Sequence, residues 1–500
     1  MNSLVKEIAK NIVTTVTTNG AKALSSALNA VVSLFGMIGA LRHQSESEII
    51  ARFEEAWAED PLLALKMVFH ARNIRGGMGE RNTAKVLYRH LAMTRPNVMK
   101  ANIMYIPHFG RWDDLFCLIG TPCEADAFEL IKTQFNADMA AVQSYQETGK
   151  HVEVSLLGKW LPSCNTSSEE TRRWAKKTMK NFGMREVEYR KALATLRRYL
   201  EVVESDISAG RWETVKYAGV SSKAMTTYRN AFYRHDPERF AAYLESLKKG
   251  TTKINAGTLF PYDILRQYGT YLGSYARCNA YDEVLEQQWK ALPNYVDSDA
   301  NIMVMADTSG SMTSFNGLPM NTALSLAIYF AERNKGAFKN LFMTFSNKPE
   351  FVQLKGDTLK EKIEGIKGIV ANTNIMAAME LLLDTAVKGN VPAEDMPKAL
   401  VIISDMQFDS MTSHGDRLYH DAFAQKFADA GYELPNIIYW NVNATHPVFH
   451  ATSDVKGVQM ASGSSPALFQ NVINSLDSTP LDAVLNALND PMYDVITLPQ

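Results

Sequence analysis

This chain lacks most of the features that announce a chemistry. Only four of its 500 residues are cysteines, Cys117, Cys123, Cys164 and Cys278, with no Cys-x-x-Cys pair and no histidine at the spacing that would close a zinc site. They read as reduced, mostly packed thiols, which excludes a disulfide scaffold. Long apolar runs are missing too. The most apolar window, Ala30 to Leu41, is too short to span a bilayer and is interrupted by Ser33, Gly36 and Gly39. Lys6 and Glu7 followed by a Thr-rich stretch replace the apolar core of a signal peptide. These absences predict a cytoplasmic protein with no membrane partner. Walker A and His-Glu-x-x-His patterns are absent, and Ser464 in Ser462-Gly463-Ser464-Ser465 lacks the Gly-x-Ser-x-Gly frame. Asp307, as a phosphatase nucleophile, would want a second carboxylate two positions on, where Ser309 stands. With no nucleophile and base pair nominated, the chain is expected not to be an enzyme.

What is present is ordinary globular material, 46% hydrophobic and 21% charged, enough for roughly two to four domains. The net charge of −2 conceals an asymmetry: residues 296 to 500 hold 13 Lys+Arg against 23 Asp+Glu, and the remainder 39 against 31. A basic N-terminal part and an acidic C-terminal part point to different partners for each.

The texture of the chain changes near the same place. From about 45 to 290 apolar residues recur at helical spacing, as in Tyr189, Leu193, Leu196 and Tyr199, with short breaks such as Arg75-Gly76-Gly77-Met78-Gly79. That pattern predicts helices joined by brief turns, consistent with a diverged α-solenoid without a fixed period. The segment 280 to 299, with Pro293 and acidic residues, is the expected junction. Beyond it, apolar runs at Ile302 to Ala306, Leu341 to Phe345, Ala399 to Ile403 and Ile437 to Val442 alternate with helical segments at 321 to 333, 374 to 387 and 417 to 430. This rhythm predicts a parallel sheet covered on both faces, with ligands at the carboxyl ends of the strands. The expected fold is thus α plus α/β in three spans. Residues 1–45 pack on one of the other parts, 46–295 form the helical repeat, and 296–500 form a Rossmann-like domain.

The strand Ile302 to Ala306 ends in Asp307-Thr308-Ser309-Gly310-Ser311, placing a carboxylate and two hydroxyls together. Hard oxygen donors grouped this way suit a small divalent cation such as Mg²⁺. Thr373, before a helix, and Asp405, at the end of the strand Val401-Ile402-Ile403-Ser404, would complete the group. A plain strand-to-helix turn with capping side chains would need the first motif alone, and the second strand ending in Asp405 weakens that reading.

Between Thr171 and Leu200 lie ten cations, Arg172, Arg173, Lys176, Lys177, Lys180, Arg185, Arg190, Lys191, Arg197 and Arg198, against two acids, Glu186 and Glu188. Trp174, Phe182, Tyr189 and Tyr199 are interleaved. Cations for phosphates and aromatic faces for unstacked bases are what single-stranded RNA recognition requires. The aromatics also fit a core stripe, which is the reading their spacing favours. For the cations the balance tips toward nucleic acid.

Asp307, Ser309, Ser311, Thr373 and Asp405, in this order and spacing, resemble the metal-ion-dependent adhesion site of von Willebrand factor A domains. The resemblance implies Mg²⁺ or Mn²⁺ held by these five residues, with an open position for a carboxylate from a protein partner. A helical-repeat part followed by such a module resembles the Ro ribonucleoprotein autoantigen and its bacterial relatives, the TROVE proteins. Several stretches are more closely similar to a family of bacteriophage, bacterial, fungal and plant proteins of the same build. Among them are Asn19-Gly20-Ala21, Ser33-Leu34-Phe35, Arg72 through Arg81 (Arg-Asn-Ile-Arg-Gly-Gly-Met-Gly-Glu-Arg), Phe109 through Leu115, Leu157 through Ser163, and Ala231 through Asp236. The Ro resemblance implies an RNA-binding ring of helical repeats, taking noncoding or single-stranded RNA, with the A domain as its clasp. A metal-dependent protein-interaction scaffold without RNA stands as the second reading.

Overall fold

The structure is a computed structural model that describes residues 3–269, 279–296, 301–345, 348–366, 373–410 and 418–499. Cys278, Ala371, Asn372, Arg417 and residues 297–299 of the expected junction lie outside the described residues. By contact the chain forms two compact units, Met1–Thr83 with Leu259–Asp494, and Ala84–Thr258 with Val495–Gln500. The spans drawn from texture cross these limits. Helices near the N-terminus cover the sheet formed much later in the chain, and the last residues return to the helical unit.

The first unit is built on strands. A short antiparallel hairpin, β1 (Thr14–Val16) and β2 (Lys22–Leu24), precedes a six-stranded sheet of β3 (Ile302–Asp307), β4 (Leu341–Phe345), β5 (Glu350–Gln353), β6 (Ala399–Ser404), β7 (Asn436–Asn441) and β8 (Val458–Ser462). The order is β5-β4-β3-β6-β7-β8, and all neighbours are parallel except β4 and β5. Every residue of β3 and β6 is buried, as continuous apolar runs between two covered faces require.

The expected all-parallel sheet is therefore mixed. Only four residues separate β4 from β5, too few for a crossover, so the chain must return antiparallel. Strand β8 was also not expected, because its run Val-Gln-Met-Ala-Ser carries a polar residue inward. Gln459 is buried and donates from Nε2 to Ser475 O at 2.5 Å and to Ser478 O at 3.1 Å.

The apolar window near the N-terminus is a core helix, Ala30–Ile38, started by Asn29, whose side chain accepts from Val32 N at 2.8 Å. Its end docks on β8. Gly39 N donates to Ser462 Oγ at 3.0 Å, and Ser462 Oγ donates to Phe35 O at 2.7 Å. A Cβ at Gly39 would stand 2.2 Å from Ser462 O, so only glycine permits the approach. The glycine-rich turn after Arg72 answers the same need: a Cβ on Gly77 would stand 2.1 Å from His70 O. Beside it Glu80 is buried and paired with Arg42.

The second unit is helical among its described residues, with helices at Pro96–Asn102, Glu124–Thr148, Glu169–Phe182, Glu186–Tyr199, Ser222–His235 and Pro237–Lys248 as its main members. The Glu169–Phe182 helix starts where Ser168 Oγ accepts from Thr171 N at 3.2 Å, and it stops at Gly183, whose φ is +69°. Tyr189, Leu193 and Leu196 form the buried stripe of the next helix. At the other end of the sequence, Thr497 is clamped by Asn102, which accepts from Thr497 N at 3.0 Å and donates to Thr497 O at 2.7 Å.

Candidate functional site

The sheet runs outward from β3 through β4 to β5, then restarts on the other side of β3 with β6. The strand order reverses between β3 and β6, and the carboxyl ends of strands at such a reversal are the place where open α/β sheets bind ligands. Asp307 ends β3, and Asp405 follows β6 directly.

Both carboxylates are buried. Asp307 Oδ1 accepts from Ser309 N at 2.8 Å, and Asp307 Oδ2 accepts from Ser404 Oγ at 2.5 Å. Asp405 Oδ1 accepts from Gln407 N at 3.2 Å. Ser309 Oγ and Ser311 Oγ lie 3.1 Å apart. Three of the five expected donors, Asp307, Ser309 and Ser311, are thus linked by direct hydrogen bonds. Thr373, also buried, is tied in through its backbone, since Thr373 O accepts from Asp409 N at 3.0 Å.

Burial, and then the neighbouring Asp405, push the Asp307 carboxyl up to about 7, and burial raises Asp405 as well. Among the described residues no three His, Cys, Asp or Glu side chains gather as a metal cluster; the donors here are two carboxylates and three hydroxyls. Two buried acids facing one another beside hydroxyl oxygens fit a small hard cation, whose charge would favour ionising both. Met406, between Asp405 and Gln407, holds a left-handed φ of +64°, a strained conformation for a side chain of its size.

The sequence motif did not reveal the other side of the site. The loop between β1 and β2 lies along residues 407–410. Thr17 Oγ1 donates to Phe408 O at 2.6 Å, Thr18 N to Gln407 Oε1 at 2.8 Å, and Ser410 N to Asn19 O at 3.1 Å. Asn19 Nδ2 donates to Gln407 O at 2.6 Å and to Thr373 Oγ1 at 3.4 Å. Asn19 and Ser404 are therefore supporting residues that the reading of the five donors missed. The available signals were the Asn19-Gly20-Ala21 stretch and the serine directly before Asp405.

The ten cations of the helical unit divide. Arg172, Arg173, Lys176, Lys180, Arg185, Arg190, Lys191 and Arg198 are exposed. Lys177 is held by Glu124 at 2.6 Å, and Arg197 donates to Gly158 O at 3.1 Å, Leu161 O at 2.8 Å and Ser163 Oγ at 2.9 Å. Arg185 pairs with Glu188 at 2.6 Å on the surface. Of the interleaved aromatics Tyr189 is buried, its OH donating to Pro162 O at 2.9 Å, and the other three are half-buried: Trp174 stacks on Phe116 at 5.2 Å, Phe182 lies tilted against Phe135 at 4.5 Å, and Tyr199 lines a surface recess.

Residues 17–127 and 166–301 match the family model described as "Domain of unknown function (DUF2828)", and residues 301–483 match "Domain of unknown function (DUF7788)". The two matches meet at residue 301. β3 begins one residue later. An uncharacterized protein of Acanthamoeba polyphaga mimivirus is similar over 508 aligned residues at 26% identity, covering 94% of this chain and 86% of that protein. The crystal structure of the Deinococcus radiodurans Ro (RSR) protein is similar with a TM-score of 0.45 at 16% identity, over 93% of this chain and 99% of that one. No described helix is long and apolar enough to cross a membrane.

Proposed function

We propose that this chain is an RNA-binding protein of the ribonucleoprotein type. Its helical unit offers the RNA surface, and its sheet unit is a von Willebrand A-like domain that carries a Mg²⁺ or Mn²⁺ site and no catalytic step. The observation that carries the reading is the cluster of eight exposed cations on the Glu169–Phe182 and Glu186–Tyr199 helices and the turn between them. Exposed cations on two consecutive helices give a positive surface potential, and a polyanion that binds them releases its own counterions. Asp307, Ser309, Ser311, Thr373 and Asp405 would hold the cation, which when bound supplies a point of attachment for an oxygen ligand. Within this chain Ser404 orients Asp307, and the Gln407 amide orients Asp405.

The test is to purify the chain from cells at low salt and sequence the nucleic acid it carries, beside a variant with Arg172, Arg173 and Lys176 reversed to Glu. Lys177 is left intact because it serves Glu124. A discrete set of small RNAs, lost in the variant, is the expected result. Protein without RNA, or an identical nonspecific smear from both, would sink the reading.

One observation favours a second role as a metal-dependent protein scaffold. Ser311 is exposed whereas the other four donors are buried, so the site opens on one side, where a partner's carboxylate could complete the coordination. Capture of a protein in Mg²⁺ but not in chelator, lost in Asp307→Ala with RNA content unchanged, would support that role.

A further inference from the structure

The helix Ser3–Ile12 lies on the first unit the wrong way round. A surface helix ordinarily turns its apolar side toward the protein and its charges toward water. Here Lys6, Ala9 and Lys10 are the half-buried residues, and Lys6 reaches Asp454 at 2.7 Å while Lys10 reaches Asp421 at 3.4 Å. Leu4, Val5, Ile8 and Ile12 fall within an arc of about 100° on the other side, where they are 68, 51, 50 and 79% exposed. No residue of this helix is buried.

Charge and size decide what covers such a stripe. A lipid surface matches poorly: helices that lie on anionic membranes carry Lys and Arg beside the apolar face. Both lysines here are turned into the protein, against two aspartates of a region, 296 to 500, that holds 13 Lys+Arg against 23 Asp+Glu. A second copy of the chain matches well. Leu4, Ile8 and Ile12 are spaced four apart, so the ridge they form is symmetric about Ile8 and packs against itself across a two-fold axis, Leu4 beside Ile12 of the other copy. The ridge carries no charge that the two-fold would set against its own like. With the exposed rim residues Glu7 and Asn11, the face offers on the order of 500 Å², so two copies would bury about 1,000 Å², the lower limit for a specific interface.

We propose that the Ser3–Ile12 helix is a homodimer contact, two copies of the chain pairing these helices antiparallel through Leu4, Val5, Ile8 and Ile12. Ile8 of one copy meets Ile8 of the other at the axis. The small area makes the association reversible, with a dissociation constant on the order of 10 μM. Being apolar, it is little weakened by salt. The pairing needs neither RNA nor metal, so it stands apart from the function proposed above.

The experiment is sedimentation velocity on the full chain, treated with ribonuclease and run at high salt, over about 1–100 μM protein. The native chain is expected to shift from monomer to dimer across that range. Ile8→Glu, which sets two carboxylates together at the axis, is expected to weaken the dimer about tenfold or more, while its thermal melt at the lowest concentration stays that of the native chain because the position is exposed. Mild oxidation then reads the arrangement. Ile8→Cys is expected to give a covalent dimer; Ile12→Cys is not, since its two copies stand about 12 Å apart along the antiparallel pair, beyond the roughly 7 Å that a disulfide spans. The native chain under the same oxidation is the reference for its own four cysteines. A native chain that stays monomeric throughout, or a dimer that persists in Ile8→Glu/Ile12→Glu, would overturn the proposal. So would a covalent dimer from Ile12→Cys in place of Ile8→Cys, or a monomer that floats with vesicles of anionic lipid, which would make a lipid surface the occupant.

Discussion

At the ends of β3 and β6 the ionisable groups are few, buried and fixed atom by atom. On the Glu169–Phe182 and Glu186–Tyr199 helices they are numerous, exposed and mostly independent of one another. A site of the first kind works through geometry, so losing one atom can abolish it. A surface of the second kind works through summed charge, so each residue matters a little. The two regions should therefore respond differently to perturbation.

The largest expected effect comes from a buried group in the sheet unit. His70 is fully buried, stacks on Phe35 at 5.5 Å and has Nδ1 3.0 Å from Tyr493 OH; burial lowers its pKa to about 4. The unfolded chain takes up the proton near 6.5, so between those values the unfolded state binds more protons and stability falls as pH falls. The loss by pH 4 is on the order of 3 kcal/mol from this group. Urea titrations at pH 7 and pH 4.5 should show a pH-dependent difference that shrinks in His70→Gln, and an unchanged difference would refute the assignment.

Next is Asp307→Ala. If Mg²⁺ binds the folded site, a hundredfold excess over its dissociation constant stabilises the native chain by about 2.7 kcal/mol. The variant should lose that response altogether, as should Asp405→Ala, in thermal melts with and without the metal. A native chain that ignores Mg²⁺, or variants that still respond, would remove the adhesion-site reading.

Asn19→Ala probes the support rather than the donors. It deletes the hydrogen bonds to Gln407 O and Thr373 Oγ1, at a cost of about 1 kcal/mol, and should reduce the Mg²⁺-linked shift without abolishing it. The same response as the native chain would make the hairpin a bystander. The smallest effect belongs to the helical surface. Arg172→Glu alone should lower RNA affinity only two- to threefold and flatten the salt slope by about 0.7. A loss as complete as that of Asp307→Ala on metal would mean that this surface, too, depends on one geometry.

The same contrast explains what could be read from sequence. Asp307, Ser309, Ser311 and Asp405 were legible because each lies at a strand end or just beyond it, where local pattern fixes position. Asn19 and Thr17 were not, since their partners in 407–408 lie more than 380 residues away. The cations were legible as a count but not individually. Nothing near Lys177 in the chain shows that Glu124 takes it, and the carbonyls that hold Arg197 have no side-chain signature. Strand β5 was missed because its exposed edge position needs no apolar run, and β8 because the buried Gln459 interrupts its apolar run.

The division of the chain also sets a timetable for its synthesis. The Ala30–Ile38 helix, apolar on nearly every face, leaves the ribosome early, yet the strand it docks on, β8, comes near the end of the sequence. At about 5–20 residues per second, its sticky surface waits roughly 20–80 seconds for its partner, while the intervening helices of 84–258 are already made and lack only the closing segment Val495–Gln500. Both units therefore await residues made near the end of the sequence, and a ribosome stalled before β8 would leave that helix without the strand it docks on.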